Sequence, residues 1–313
     1  MKSHMHETTD NQVPGAALFS LLVCVLLLMP VAGWASTIRV TWDPERVKHG
    51  GVVPLRVQSP IKLLAVEAAT GRDKFPLIPM GEGEYIALVG IDTHLKKPSL
   101  AVDFALFPAK GGAPYRIRAD LVIRTVKAAE PEVQKLTLPT GMVDFSQEKL
   151  RQVRSDSKTL LDSLGTRSRN RFWKAGFLMP VTGRITTRFG VRRVLNGKPR
   201  SPHSGVDIAA KKGTQVSASN NGKVLIADNF YLAGNMVVVD HGWGVSTIYA
   251  HLDIIRVTKG QLVKRGQIIG TVGATGRATG PHLHFGTFIR GVKVDPFQLI
   301  EVTRDFTGHR KIP

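Results

Sequence analysis

The sequence predicts an all-β protein: an N-terminal β-sandwich-like domain, a short basic helical linker and a C-terminal antiparallel β-sheet domain. Three observations lead there. Short β-prone runs broken by Gly and Pro fill residues 37–126. A second such series fills residues 177–300, with no helical period competing. Between them, only residues 145–171 place apolar side chains at helical spacing. A chain of 313 residues has the length for about two domains, and its hydrophobic and charged fractions are those of ordinary globular protein.

The first element is a leader. Residues 16–29 form an apolar run interrupted only by Ser20 and ended by Pro30. The run is shorter than the ~20 residues that span a bilayer. Gly33-Trp34-Ala35 then places small residues where a signal peptidase reads them. The expectation is a signal peptide over residues 1–35, cleavage after Ala35, and an exported, periplasmic protein. The charge ahead of the run is poor, since Glu7 and Asp10 oppose Lys2. An uncleaved anchor in the inner membrane is therefore the alternative. The single cysteine, Cys24, lies inside the run without a lipobox-like pattern, so a mature chain would hold no disulfide.

Residues 36–127 read as the β-sandwich-like domain. Runs at 38–42, 52–57, 62–68, 85–89, 100–107 and 115–126 supply its strands. Several alternate apolar and polar, as in Tyr115-Arg116-Ile117-Arg118-Ala119-Asp120-Leu121, the period of a half-buried strand. No paired cysteines of the antibody type occur, and no cluster of reactive side chains stands out. Residues 128–176 read as a linker. From residue 127 to 138 the period-2 rhythm is lost. The second part of the linker turns helical through Leu150, Val153, Leu160, Leu161 and Leu164. Arg151, Arg154, Lys158, Arg167, Arg169 and Arg171 make that helix basic, which is either a solvated face or an arm for an anionic surface.

Residues 177–300 read as the second β domain, followed by a tail over 301–313. Runs at 184–189, 206–209, 215–218, 222–227, 236–240, 246–251, 267–272 and 284–289 are punctuated by Asn220-Asn221-Gly222 and Gly242-Trp243-Gly244. Such punctuation suits tight turns in an antiparallel sheet. The chemistry lies here, in P-H-S-G-V-D over 202–207 and P-H-L-H-F over 281–285. His203 and Asp207 are four apart and His282 and His284 two apart, so on strands each pair would share one face. Imidazole nitrogen and carboxylate oxygen are ligands that zinc takes readily, and three protein ligands plus water make a catalytic site. These four residues are one more than such a site needs, which leaves a histidine for handling protons.

The residues around the two motifs extend the pattern. Phe189-Gly190 precedes the first, Gly213-Thr214 follows it, and Tyr249-Ala250-His251-Leu252 stands midway. V-K-R-G-Q-I-I-G (263–270) and G-A-T-G-R-A-T-G (273–280) lead into the second. This ordered set resembles the lysostaphin-type zinc metallopeptidases, the M23 or LytM-domain family of peptidoglycan endopeptidases, over about residues 178–297. The resemblance implies an open β-sheet cleft with one Zn²⁺ per chain, held by His203, Asp207 and His284. It makes His282 and His251 the proton-handling pair. It further implies peptidoglycan peptide stems as partner and substrate. An exported enzyme with an N-terminal β domain fits a Gram-negative periplasm, so cutting of D-alanyl–diaminopimelate cross-links is expected over glycyl–glycine bonds. Some relatives lack ligands and act as wall-binding or amidase-activating regulators, whereas all five positions are present here. The basic stretch R-R-V-L-N-G-K-P-R, 192–200, matches no substrate-contacting residue of the family.

Lys and Arg exceed Asp and Glu by 19, a balance that suits an anionic partner. Anionic wall polymer or a membrane surface fits an exported chain. Nucleic acid does not, because no finger, RNP-like or helix-turn-helix signature accompanies the charge.

Overall fold

The structure, a computed structural model, describes residues 23–27, 37–81, 83–124, 132–137, 139–166, 168, 170–304 and 306. The first strands are β1 (Val23–Leu27), β2 (Ile38–Trp42), β3 (Val52–Gln58), β4 (Leu63–Thr70), β5 (Asp73–Pro76), β6 (Ile78–Gly81), β7 (Glu84–Gly90), β8 (Ser99–Pro108) and β9 (Tyr115–Val122). They form two antiparallel sheets, β1-β2-β3-β7-β6 and β5-β4-β8-β9. Alternation sets the inner faces: Ile117, Ala119 and Leu121 of β9 are buried, while Arg116, Arg118 and Asp120 between them are exposed. Strands β3 and β7 depart from this rule because both of their faces are covered. Val53, Leu55, Val57, Ala87 and Val89 face the sandwich core. On the other side Val52, Ile86 and Leu88 pack with Trp173, Val245, Ile289 and Leu299. An apolar seam thus joins the sandwich to the C-terminal sheet.

β1 comes from the apolar run that the sequence assigns to a leader, and it pairs antiparallel with β2. The expected cleavage site at Ala35 lies outside the described residues. Cleavage there would remove β1 and leave β2 at the edge of the sheet.

Next come β10 (Val133–Leu136), α1 (Gln147–Gly165), β11 (Arg184–Thr187), β12 (Arg192–Leu195) and β13 (Lys198–Arg200). Here the structure departs from the reading of 128–138 as linker. β10 pairs in parallel with β12, and β12 pairs with β13, making a small separate sheet. Four residues are too few to show a period, and the partner lies almost sixty residues downstream, so nothing local announces the strand. Helix α1 begins at Ser146, whose hydroxyl accepts from Lys149 N–H. Leu160 and Leu164 pack onto Ile226, Phe230, Met236 and Phe288, while Arg151, Arg154 and Lys158 stay exposed. The helix therefore covers a sheet face and turns its charges to solvent. Arg167 and Arg169 lie outside the described residues.

The remaining elements are β14 (Val206–Ala209), β15 (Gln215–Ser217), β16 (Gly222–Phe230), β17 (Gly234–Asp240), β18 (Val245–Ile255), β19 (Leu262–Val263), β20 (Ile268–Val272), β21 (His282–Ile289), β22 (Val292–Val294) and α2 (Pro296–Thr303). The main sheet runs β11-β14-β21-β18-β17-β16-β19, with the β15–β20 pair joined at β18 and β22 at β21. Its central strands are buried on both faces. Val237, Val239, Tyr249 and Phe285 fill one core, and Met236, Val238, Ile248 and Phe288 fill the other. That is why Met236–Val239 reads as continuous apolar sequence rather than alternation. The expectation of an all-β second domain misses α2. Asp295 caps it through Phe297 N–H and Pro296 sits in its first turn, signals that eight residues are too short to make periodic. Residues 301–313 do not begin as a free tail, since Thr303 and Phe306 are buried.

Candidate metal centre and its cleft

Strands β14 and β21 are neighbours, and their register sets Asp207 directly opposite His284. His282 lies two residues from His284 on the same strand, so both rings leave the same face. His203 is different. It precedes β14 in residues with no strand conformation, so the even-spacing argument that paired it with Asp207 does not hold for it. Its ring is placed by a hydrogen bond from Nδ1 to the Arg188 carbonyl, 2.9 Å long. Both His203 and Asp207 are almost fully buried.

Three donor atoms converge. His203 Nε2 is 3.0 Å from His284 Nδ1 and 3.0 Å from Asp207 Oδ1, and His284 Nδ1 is 2.9 Å from the same oxygen. Because the Nδ1 proton of His203 goes to Arg188, its Nε2 carries a lone pair. Two lone-pair atoms and one ring nitrogen then face each other, and a single proton on His284 cannot satisfy both contacts well. A cation at their centre satisfies all three. Two imidazole nitrogens and one carboxylate oxygen are a donor set for zinc, so the residues present fit the ion. Burial alone would raise the Asp207 carboxyl, but the imidazoles of His203 and His284 beside it outweigh that and hold the group well below the usual carboxylate range. Burial lowers His284, against the opposing pull of Asp207.

Two further imidazoles stand beside this set. The ring of His251 lies 4.7 Å from that of His282 and 6.2 Å from that of His284, between centroids. His251 sits on β18 at a φ of 61°, in the left-handed region that a residue with a Cβ seldom enters. Such a backbone costs on the order of 1–3 kcal/mol and persists only where the surroundings enforce it. Here the N–H of His251 donates to Ala233 O and its Nδ1 lies 2.8 Å from Thr275 O. His282 Nδ1 likewise meets Gly280 O at 2.8 Å. Each ring thus gives its Nδ1 proton to a carbonyl and keeps Nε2 as a free lone pair. His282 Nε2 stands 3.9 Å from Asp207 Oδ1, outside the converging trio. Burial lowers His251 to about 3, with the charges of His284 and His282 adding to the shift, so the ring is neutral at pH 7.

These groups open into a cleft of about 280 Å³. One wall is a surprise from the sequence. β10 and the β12–β13 hairpin stand beside the site, with Gln134 and Arg193 facing into it. Gln134 donates to Thr187 Oγ1 and accepts from Arg193 Nε, and Arg193 Nη2 takes Asp207 Oδ2 at 2.5 Å. The second oxygen of the buried carboxylate is therefore held from a basic stretch to which the sequence could assign no role. The other wall is the loop 273–281, which carries Arg277 into the cleft. A lone cation within a run of Gly, Ala and Thr was the available signal for it.

An antiparallel sheet with a three-donor centre and two flanking imidazoles at an open cleft defines a candidate metalloprotein of the open-site class. Residues 201–296 match the model of peptidase family M23. Over 133 residues it is 40% identical to the peptidoglycan DD-endopeptidase ShyB of Vibrio cholerae, covering 42% of this chain and 28% of that protein. It is 39% identical over 136 residues to the DD-carboxypeptidase/endopeptidase Mpg of Neisseria meningitidis, covering 43% of this chain and 31% of that one. The chain thus spans about a third or less of the length of these curated relatives. A crystal structure assigned to peptidase M23 from Pseudomonas aeruginosa superposes over 81% of this chain and 95% of its own, at 25% identity and a TM-score of 0.62. That coverage reaches well beyond the matched domain.

Proposed function

We propose that the protein is a zinc-dependent peptidase that hydrolyses peptide cross-links of bacterial peptidoglycan outside the cytoplasm. The observation that carries this reading is the convergence of His203 Nε2, Asp207 Oδ1 and His284 Nδ1, with the Nε2 lone pairs of His251 and His282 beside them. Two relatives of the matched region are named for DD-endopeptidase activity, and one of them also for DD-carboxypeptidase activity. All five side chains are present, which favours an enzyme over a non-catalytic wall-binding regulator.

His203, Asp207 and His284 would hold the ion, and the chemistry that zinc supplies when bound is Lewis acidity, which polarises a carbonyl and brings the pKa of water near 7. The rest is done by the chain. Arg193 keeps Asp207 oriented through its second oxygen, as outer-shell partners do. Thr275 and Gly280 fix the tautomers of His251 and His282, so that each presents Nε2 as acceptor. A proton taken from the attacking water at Nε2 of His282 makes that ring a donor, and the leaving amine nitrogen receives the proton from it. His251, neutral by burial, accepts a hydrogen bond that orients the water. No Ser or Cys nucleophile is called for, and no covalent intermediate forms. The run at residues 16–29 would direct export, with a mature N-terminus at Ser36.

The test is digestion of purified sacculi, with the released muropeptides identified by mass. Loss of cross-linked dimers and gain of monomers is expected. Sacculi left intact by zinc-loaded protein would overturn the assignment.

A further inference from the structure

The cleft carries more positive charge than its own acids can use. Asp207 is the single carboxylate among the described residues lining it, and Arg193, His203 and His284 already engage that group. Arg277 lines the same cleft, half-buried, and its guanidinium has no hydrogen bond or ion pair among the described residues. Burial lowers its pKa, and the charges of Arg193 and Arg200 lower it further, so three guanidiniums stand within electrostatic reach of one another. The backbone beneath is fixed: Arg277 N–H donates to Leu232 O, and Thr275 Oγ1 bridges Asn235 N–H and Leu252 O. A partly desolvated, preorganised arginine without a partner is built for an anion that arrives with a ligand.

We propose that Arg277 binds a free carboxylate that the substrate carries within one residue of the bond cut, and that this contact sets which wall peptides the enzyme accepts. The proposal rests on the peptidase reading and adds the substrate's charge to it. A D-alanyl–diaminopimelate cross-link has such a carboxylate on the diaminopimelate residue that supplies the leaving amine. A stem ending in D-alanyl-D-alanine has one on its terminal residue. A glycyl–glycine bridge has none there. One recognition group would therefore serve endopeptidase and carboxypeptidase substrates alike and disfavour glycine bridges.

The experiment uses full-length zinc-loaded protein and matched peptides. A D-alanyl-D-alanine stem with a free terminus is compared with its carboxamide, and a cross-linked dimer with a free diaminopimelate carboxylate with its amidated form. Wild type should prefer each carboxylate by about 10- to 100-fold in kcat/KM, the size of one charge-assisted hydrogen bond. Arg277→Gln should lose that factor on the carboxylates and change the amides less than about three-fold, while Arg277→Lys recovers part of the preference. The dimer and the free stem show which source of carboxylate is used. Equal losses on both members of a pair, or no loss, would overturn the proposal. Binding of the same peptides to His282→Ala and His282→Ala/Arg277→Gln proteins, by calorimetry, reads the contact without turnover. A carboxylate preference there that depends on Arg277, together with zinc-loaded wild type that cuts none of the peptides, would sustain this proposal and defeat the peptidase reading. Binding without that preference would defeat this one.

Discussion

Replacing Gly276 by alanine should damage the site from outside it. Gly276 has a φ of 70°, and a Cβ there would lie 2.3 Å from Gly234 N and 2.6 Å from Leu232 O. Both are backbone atoms, so no side chain can swing away. The left-handed conformation costs an L-residue about 1–2 kcal/mol. Forcing the loop off the hairpin between β16 and β17 adds about 1–3 kcal/mol. The lost freedom of the unfolded glycine returns about 0.4–1 kcal/mol. The net is a destabilisation of about 3 kcal/mol, or roughly 6–12 °C in the thermal midpoint. The functional loss should be larger than stability alone implies, because Thr275 O, next in the chain, holds the tautomer of His251. Gly280→Ala is the control for stability alone, since its Cβ would meet nothing within 4 Å and its φ lies outside the left-handed region. The assay is thermal and urea denaturation with zinc content and turnover measured alongside. A Gly276→Ala protein within about 0.5 kcal/mol of wild type, or a Gly280→Ala protein equally destabilised, would refute the reasoning.

Two further outcomes are expected. His241 is wholly buried, and burial lowers it to about 4 from 6.5, against the pull of Asn221 O and Asp240. The unfolded chain binds the proton first, so stability is full above about pH 6.5 and falls as pH drops towards 4, by about 3 kcal/mol across that window. Urea titrations should show a steeper slope in wild type than in His241→Gln, which keeps only the dependence of groups such as His251, and equal slopes would contradict it. The net charge of +19 should make binding to sacculi weaken as salt rises and the Debye length shrinks below about 8 Å. Retention that ignores salt would mean the basic surface is incidental.

Much of the site was legible because its donors sit in two short motifs whose strands pair with each other. Asp207 and His284 are opposite residues in a ladder, and a two-residue spacing puts His282 on the same face. What stayed hidden depends on distant pairing. Strand β10 exists because β12 offers it an edge, and Arg193 matters because that pairing carries it to Asp207. Neither fact leaves a trace within ten residues of sequence. His203 was placed on a strand by its spacing, yet a loop and the Arg188 carbonyl position it. The backbone of His251 was equally unreadable, since a φ of 61° is imposed by Ala233 and Thr275 rather than by its neighbours in sequence. In the sandwich, alternation identified the inner face of β9 well. The outer face of β7 took its meaning from Trp173 and Leu299, a seam that the pattern of one domain cannot announce.

The most direct test of the account asks which histidines hold the metal and which move protons. His282 and His284 are separated by one residue, yet Nε2 of His282 is 3.9 Å from Asp207 Oδ1 while Nδ1 of His284 is 2.9 Å from it. Zinc content and turnover should be measured together on His203→Ala, Asp207→Ala, His284→Ala, His251→Ala and His282→Ala. The first three should lose metal and hydrolysis together. The last two should keep about one zinc per chain and lose roughly 10²–10⁴-fold in turnover, the usual cost of removing a proton-transfer partner. A His282→Ala protein without zinc, or a His284→Ala protein that retains it, would contradict the division of labour on which the mechanism rests.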